Sequence, residues 1–213
     1  MNFDEFLISI SKIKNIPLPA LVSHYKMVPP FRQELLELQK EAIKKAKRAG
    51  VLALFYPDIN KQTHFVLILR NTYKGVHSAQ VAFPGGKLEK QDASLEAAAV
   101  RETFEEIGVP AEHIEVVCEL SEVYIPPSNF YVMPFLGISK VTPQFVKQYT
   151  EVETIIEVSL QQFFDDSNII TKKVQTSYSL EVEVPAFKLN DYVVWGATAM
   201  VLSEIKDVLK QLM

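Results

Sequence analysis

Apolar residues recur at helical spacing from the first turn of the chain. Phe3, Phe6, Leu7, Ile10 and Ile13 fall on one side of a 3.6-residue repeat and predict a short amphipathic helix. Residues 16–30 hold four prolines and read as an extended connector. Over residues 31–49, a weak stripe of Leu35, Leu38, Ala42 and Ala46 predicts a second helix, basic in its last turns and stopped by Gly50. Two apolar runs, 51–56 and 64–70, flank the polar turn 57–63 and predict a β-hairpin. A polar loop over 71–78 leads into an apolar strand at 79–83, which Pro84-Gly85-Gly86 breaks. Further strands are predicted at 114–123, 130–139 and 154–160, then a helical turn at 160–164. A second hairpin follows over 169–175 and 179–187, and a short strand over 193–195. Gly196-Ala197-Thr198 opens a C-terminal helix with Met200, Val201, Ile205, Val208, Leu209 and Leu212 as its apolar positions. Strands fill the middle and helices flank them, which predicts an α/β sandwich with a mixed sheet.

One predicted helix breaks local rules. It starts from a cap at Asp92 or Ser94 and stops at Gly108. At about 100° per residue, Glu102, Glu105 and Glu106 share one arc with Leu95, Ala98 and Ala99. Val100, Phe104 and Ile107 form the opposite, predicted buried face, and Arg101 stands one turn from Glu105. Like charges at this spacing cost roughly 0.2–0.5 kcal/mol a pair, and the helix dipole disfavours anions in a last turn. Two readings fit: a solvated acidic face, or a site where a hard divalent cation such as Mg²⁺ or Mn²⁺ offsets the repulsion.

Composition narrows the class. With 213 residues, 48% apolar and 23% charged, the chain suits one soluble globular domain with an appendage or two small domains. A net charge of −4 gives no electrostatic footprint for a nucleic-acid polymer. The single cysteine, Cys118, forbids an intrachain disulfide, reads as a buried inert thiol and fits a reducing, cytoplasmic setting. The first residues lack the pattern of a secretory signal, and no apolar run approaches a membrane span.

Residues 81–109 resemble the Nudix box, the signature of hydrolases that cleave a nucleoside diphosphate linked to another group. Gly86 opens it and Arg101-Glu102-Thr103-Phe104-Glu105-Glu106-Ile107-Gly108-Val109 closes it. Thr103 replaces an apolar residue of the pattern, the gap from Gly86 to Arg101 is one residue longer, and Asp92 stands where a Glu is expected. More of the chain resembles the coenzyme A pyrophosphatase branch. In the stretch that begins Leu67-Ile68-Leu69, Arg70 and then Phe83-Pro84-Gly85-Gly86 match its forward motif, while Gly75 and Ala79 depart from it. Asp92-Ala93-Ser94, the segment 124–130 and Trp195-Gly196-Ala197-Thr198-Ala199 also look like that branch.

The resemblance implies a Nudix α/β/α sandwich over residues 50–213, preceded by a helical extension over 1–49. It implies a Mg²⁺ or Mn²⁺ site on Glu102 and Glu106, with Glu105 and the Gly85 carbonyl as further ligands. Arg101 joins Glu102, Glu105 and Glu106 in the catalytic set, chiefly by pinning a carboxylate. Arg70, Gly86 and Phe83 are the substrate-binding candidates, Arg70 as a phosphate clamp. The general base is open between a metal-activated water alone, Glu105, and a loop acid such as Glu151 or Glu153. Phe130, Tyr131 and Trp195 are either core or a stacking surface for adenine. The implied substrate is a small coenzyme A-like nucleotide, cut to adenosine 3′,5′-bisphosphate and 4′-phosphopantetheine. Alternatives are the same chemistry on ADP-ribose, a dinucleotide or a nucleoside triphosphate, and a non-hydrolytic nucleotide sensor. No membrane partner is expected, and a homodimer is left open.

Overall fold

Alternation along two strands builds the molecule. A computed structural model describes residues 1–30, 32–71, 80–175 and 181–213. In β1 (Lys47–Pro57), Leu52, Leu54 and Tyr56 enter one apolar core, and Ala53 and Phe55 enter another. In β2 (Thr63–Arg70), Val66 and Ile68 join the first core, and Phe65 and Leu67 the second. Period-2 side-chain placement thus gives the sheet two buried faces. The strands pair antiparallel across the predicted polar turn.

The main sheet runs β3 (Val81–Ala82), β2, β1, β7 (Phe130–Ile138), β5 (Glu115–Glu119). Beside this path, β4 (Gly85–Lys87) pairs with β1, β6 (Val123–Ile125) with β7, and β8 (Val152–Ser159) with β2. β1 and β7 are parallel and the other pairs antiparallel, so the sheet is mixed. Helix α5 (Leu95–Ile107) covers one face. The other face carries α1 (Phe3–Ile10), α6 (Leu160–Phe164) and α7 (Gly196–Leu212). A small antiparallel sheet of β9 (Ile169–Gln175), β10 (Glu181–Leu189) and β11 (Tyr192–Val194) adds to that side. This is the expected α/β sandwich.

Several local expectations are corrected. The proline-rich connector contains a helical turn, α2 (Leu21–His24), held against α7 by His24 Nε2 at 3.1 Å from Glu204 Oε2 and by Lys26 on Asp207. The helix expected over 31–49 splits into α3 (Arg32–Leu38) and α4 (Lys40–Ile43), and Lys47 and Arg48 of its basic end belong to β1; Phe31 lies outside the described residues. Gly50 stops no helix. A Cβ there would lie 2.1 Å from the Leu95 carbonyl oxygen, so the missing side chain lets α5 close onto the strand. The Pro84-Gly85-Gly86 break is itself the start of β4, with Gly50 opposite Gly86. Gly75, His77 and Ala79 lie outside the described residues.

The buried face of α5 also differs from the predicted one. Ala98, Ala99, Thr103, Glu106 and Ile107 are buried, and Phe104 is 54% exposed. Small residues bring the helix close to β1, and that close approach outweighs the burial of one ring. Thr103, the departure from the box pattern, is accommodated because its hydroxyl donates to the Ala99 carbonyl at 2.7 Å. Ser94 rather than Asp92 caps the helix, its Oγ accepting from the Ala97 amide at 3.0 Å. Gly108 ends it in the left-handed conformation at φ 75°.

Candidate active site

The last turn of α5 is fixed from below. The Val146 amide donates to the Ile107 carbonyl at 3.0 Å and the Gln148 amide to the Glu106 carbonyl at 2.9 Å. The loop after β7 therefore satisfies carbonyls that a helix end leaves open. The same loop delivers Glu151, which immediately precedes β8, and the Glu151 carbonyl accepts from the Asn71 amide at 2.8 Å.

Glu102, Glu106 and Glu151 converge there. One oxygen from each lies within 4.8 Å of the other two. Glu106 is the buried member, its side chain 1% exposed. It accepts from the Gly85 amide at 2.8 Å and from Arg70 Nη1 at 3.2 Å. Glu102 lies over Gly86, where an added Cβ would come 2.3 Å from its carboxyl carbon. Glu105 does not join the group. It is half exposed and lies 3.0 Å from Arg101 Nη1. Glu151 was one of several loop acids in sequence, and the signal that singles it out is the register of β2 against β8, which puts Arg70 opposite Val152.

Arg101 organises the flank of the site. It holds Asp92 with two bonds, Nε to Oδ1 at 2.9 Å and Nη2 to Oδ2 at 3.0 Å, and reaches Glu102 and Glu105 at 3.0 Å each. The Asp92 carboxylate also accepts from the Glu89 amide at 2.8 Å, closing the loop ahead of α5. The Arg101 bonds hold the Asp92 carboxyl below its usual range and raise the guanidinium. Replacing Asp92 by Ala should lower kcat/KM about 10- to 100-fold, the usual range for a residue that orients ligands. Steady-state kinetics beside a melting curve checks this, with most of the loss expected in turnover rather than in folding.

Burial dominates the electrostatics of the carboxylates. It pushes Glu106 from 4.5 up to about 7, against the pull of Arg70 and the Gly85 amide and with help from Glu102 and Glu151. Glu102 is also raised, first by burial. The folded chain thus binds a proton at Glu106 more tightly than the unfolded chain between these limits. Its contribution to stability is largest below about pH 4.5 and is lost as pH rises through about 7. The shift is worth about 3 kcal/mol. A cation that binds the ionised form restores this, so Mg²⁺ should raise the unfolding midpoint more at about pH 8 than at about pH 5. Thermal unfolding with and without Mg²⁺ at both pH values measures it.

A cavity of about 450 Å³ opens beside the carboxylates. Arg70, Phe83, Gly85 and Gly86 line it at the carboxylate end, so all three substrate-binding candidates from the sequence border it. Its wall is mostly apolar and includes Val51, Val123, Ile125, Phe130 and Trp195. Tyr131 instead packs on Tyr124, with ring centres 5.1 Å apart. Thr198 ties α7 to the sheet by donating to the Val81 carbonyl at 3.0 Å. Cys118 takes no part; burial pushes its thiol up to about 11. No helix of the described residues is long and apolar enough to cross a membrane.

Comparison with known proteins gives a consistent picture. The family model described as NUDIX domain matches residues 46–174. "Nudix hydrolase 15, mitochondrial" of Arabidopsis thaliana is 29% identical over 184 residues, covering 84% of this chain and 64% of its own length. "Peroxisomal coenzyme A diphosphatase ndx-8" of Caenorhabditis elegans is 28% identical over 154 residues, covering 71% of this chain and 64% of its own. The chain thus spans just under two thirds of each of these relatives. Among solved structures, a Nudix hydrolase from M. smegmatis, RenU, superposes with a TM-score of 0.51 at 18% identity, over 78% of this chain and 87% of that one, which speaks for the fold alone.

Proposed function

The chain belongs to the Nudix family, and from that premise we propose that it hydrolyses the pyrophosphate bond of coenzyme A or its thioesters with Mg²⁺ or Mn²⁺. The products are adenosine 3′,5′-bisphosphate and 4′-phosphopantetheine. The observation that carries this is the meeting of Glu102, Glu106 and Glu151 at the glycine-lined end of an apolar cavity. Oxygen-only donors suit a hard cation, and a buried carboxylate pushed up to about 7 is a group whose charge lacks sufficient compensation.

Glu102, Glu106 and Glu151 hold the cation in this reading, and the Gly85 carbonyl is a further ligand by family resemblance. When bound, such an ion neutralises phosphate oxygens and makes water a stronger nucleophile. The chain supplies the rest. The Gly85 amide and Arg70 fix the Glu106 carboxylate. Gly86 leaves room for a phosphate to approach the backbone. Arg70, at the rim, can pass from Glu106 to a substrate phosphate. Glu151, exposed on its loop, takes the proton on the carboxylate oxygen not given to the cation as the water oxygen bonds to phosphorus, and the bridging P–O bond breaks with its electron pair on the departing phosphate. Glu105 and Arg101 support the position of Glu102. The apolar wall excludes water from the far part of the substrate, and its size suits a pantetheine arm or an adenine.

The resemblance to the coenzyme A branch, the named diphosphatase relative and the cavity together favour coenzyme A over other nucleoside diphosphate derivatives. A cytoplasmic setting is in keeping with the lone cysteine. The test is incubation with Mg²⁺ or Mn²⁺ and a panel of coenzyme A, its acyl esters, ADP-ribose and a dinucleotide, with products identified by mass. Coenzyme A should yield the two named halves. Intact coenzyme A beside cleaved ADP-ribose would reassign the substrate.

A further inference from the structure

The chain has four arginines. Arg48 pairs with Glu122, Arg70 with Glu106, and Arg101 with Asp92, Glu102 and Glu105. Arg32 has no carboxylate partner among the described residues. Its Nη2 donates to the Tyr124 carbonyl, and the other groups acting on its charge are the Tyr25 and Tyr124 side chains. Burial lowers its pKa, the sign of a cation taken from water without an anion to receive it. One carbonyl uses one of five guanidinium N–H groups. A purely structural tie to β6 does not need a planar charged fork.

Arg32 also lines the catalytic cavity, together with Pro29, Pro30 and Leu35. The strand ladder locates it. Gly86 in β4 pairs with Gly50 in β1, β1 pairs with β7, and β7 pairs with β6, where Tyr124 accepts from Arg32. Three steps between neighbouring strands put Tyr124 about 14 Å across the sheet from the carboxylate end. The intervening wall is apolar. A ligand with its diphosphate at Gly85 and Gly86 and an apolar body along the wall would present its remote end to an unpaired cation. Arg32 lies outside the segment matched to the family model.

We propose that Arg32 is a specificity-determining residue that binds an anionic oxygen group carried by the substrate away from the scissile pyrophosphate. The inference rests on the coenzyme A reading and deepens it. Two parts of such a substrate supply that chemistry: the ribose 3′-phosphate, or a carboxylate at the end of an acyl group on the thiol.

The experiment compares kcat/KM of the wild-type chain, Arg32→Gln and Arg32→Lys, with Mg²⁺, on two substrate pairs. The pairs are coenzyme A with 3′-dephospho-coenzyme A, and glutaryl-coenzyme A with butyryl-coenzyme A. The wild type should favour the member with the extra anionic group in one pair by about tenfold or more, as expected for a charge-assisted hydrogen bond. Arg32→Gln should erase that ratio, with the loss falling on the member that carries the extra anionic group, and Arg32→Lys should restore part of it. The pair that responds identifies the source of the anion. An equal loss on all four substrates would mark a structural role and overturn the proposal, as would unchanged ratios in both pairs. Should Arg32→Gln fail to fold, Arg32→Lys carries the comparison by a partial loss of ratio. A wild type that cuts ADP-ribose and none of the four would sink the coenzyme A reading and this inference with it. Cleavage of coenzyme A with ratios unmoved by the variants sinks the inference alone.

Discussion

Glu106→Gln is expected to lower kcat by about three orders of magnitude while the protein stays folded. The side chain is 1% exposed, and its oxygens receive the Gly85 amide and Arg70. An amide of the same shape keeps an acceptor for the Gly85 N–H and so keeps the loop in place. It removes the charge that a divalent cation requires. Metal stabilisation of phosphoryl chemistry is worth several kcal/mol, and about 4 kcal/mol is about a thousandfold in rate. The substitution also removes a buried carboxylate whose ionised form is disfavoured by desolvation. Without metal at about pH 8, the unfolding midpoint should hold or rise. The paired readout is turnover on the preferred substrate and a melting curve. A variant with near-normal turnover would take Glu106 out of the cation site. A variant that does not fold would mean its charge is structural.

Gly85→Ala should cost stability as well as activity. Gly85 sits at φ +145°, where a side chain is strained at about 1–3 kcal/mol. Its Cβ would also lie 2.4 Å from the Gly50 carbonyl oxygen and 2.5 Å from Val51 Cα. These are backbone atoms of β1 in register with β4, so relief requires opening the ladder rather than turning a side chain. Overpacking of this kind adds about 1–3 kcal/mol. A total of about 3 kcal/mol or more lowers the unfolding midpoint by roughly 6–12 °C in a chain of this size. The same shift pulls the Gly85 amide from Glu106, so residual activity should be small even well below the melting temperature. A melting point within about 2 °C of the wild type would show that β4 yields more easily than its pairing implies.

Much of this was readable from residue order, and the misses have common causes. The β1–β2 hairpin shows because its two apolar runs enclose a polar turn. The ends of α5 show because Ser94 and Gly108 each have a specific capping chemistry. Residues 31–49 mislead because Ala, Lys and Arg favour helix, whereas the ladder with β4 and β7 claims positions from Lys47 onward. Periodicity on α5 mislabels its inner face, since Phe104 carries more apolar weight than Ala98, Ala99 and Thr103, which do the packing. Glu102 and Glu106 were visible within the box-like pattern. Glu151 was not separable from other loop acids, because its place depends on a strand pairing more than 80 residues apart in sequence. His24 stands in a proline-rich stretch with no spacing signal around it, yet it is buried against Glu204, a contact that only the docking of α2 on α7 creates.

The proposed chemistry requires that Glu102, Glu106 and Glu151 form a cation site. Titration of Mn²⁺ into the protein at about pH 8, followed by the loss of the free-ion electron paramagnetic resonance signal, measures this directly. The wild type should take up Mn²⁺, Mg²⁺ should displace it, and Glu106→Gln should weaken uptake at least tenfold. Equal free Mn²⁺ over the wild type and Glu106→Gln would contradict the account, leaving the three carboxylates as a crowded acidic corner.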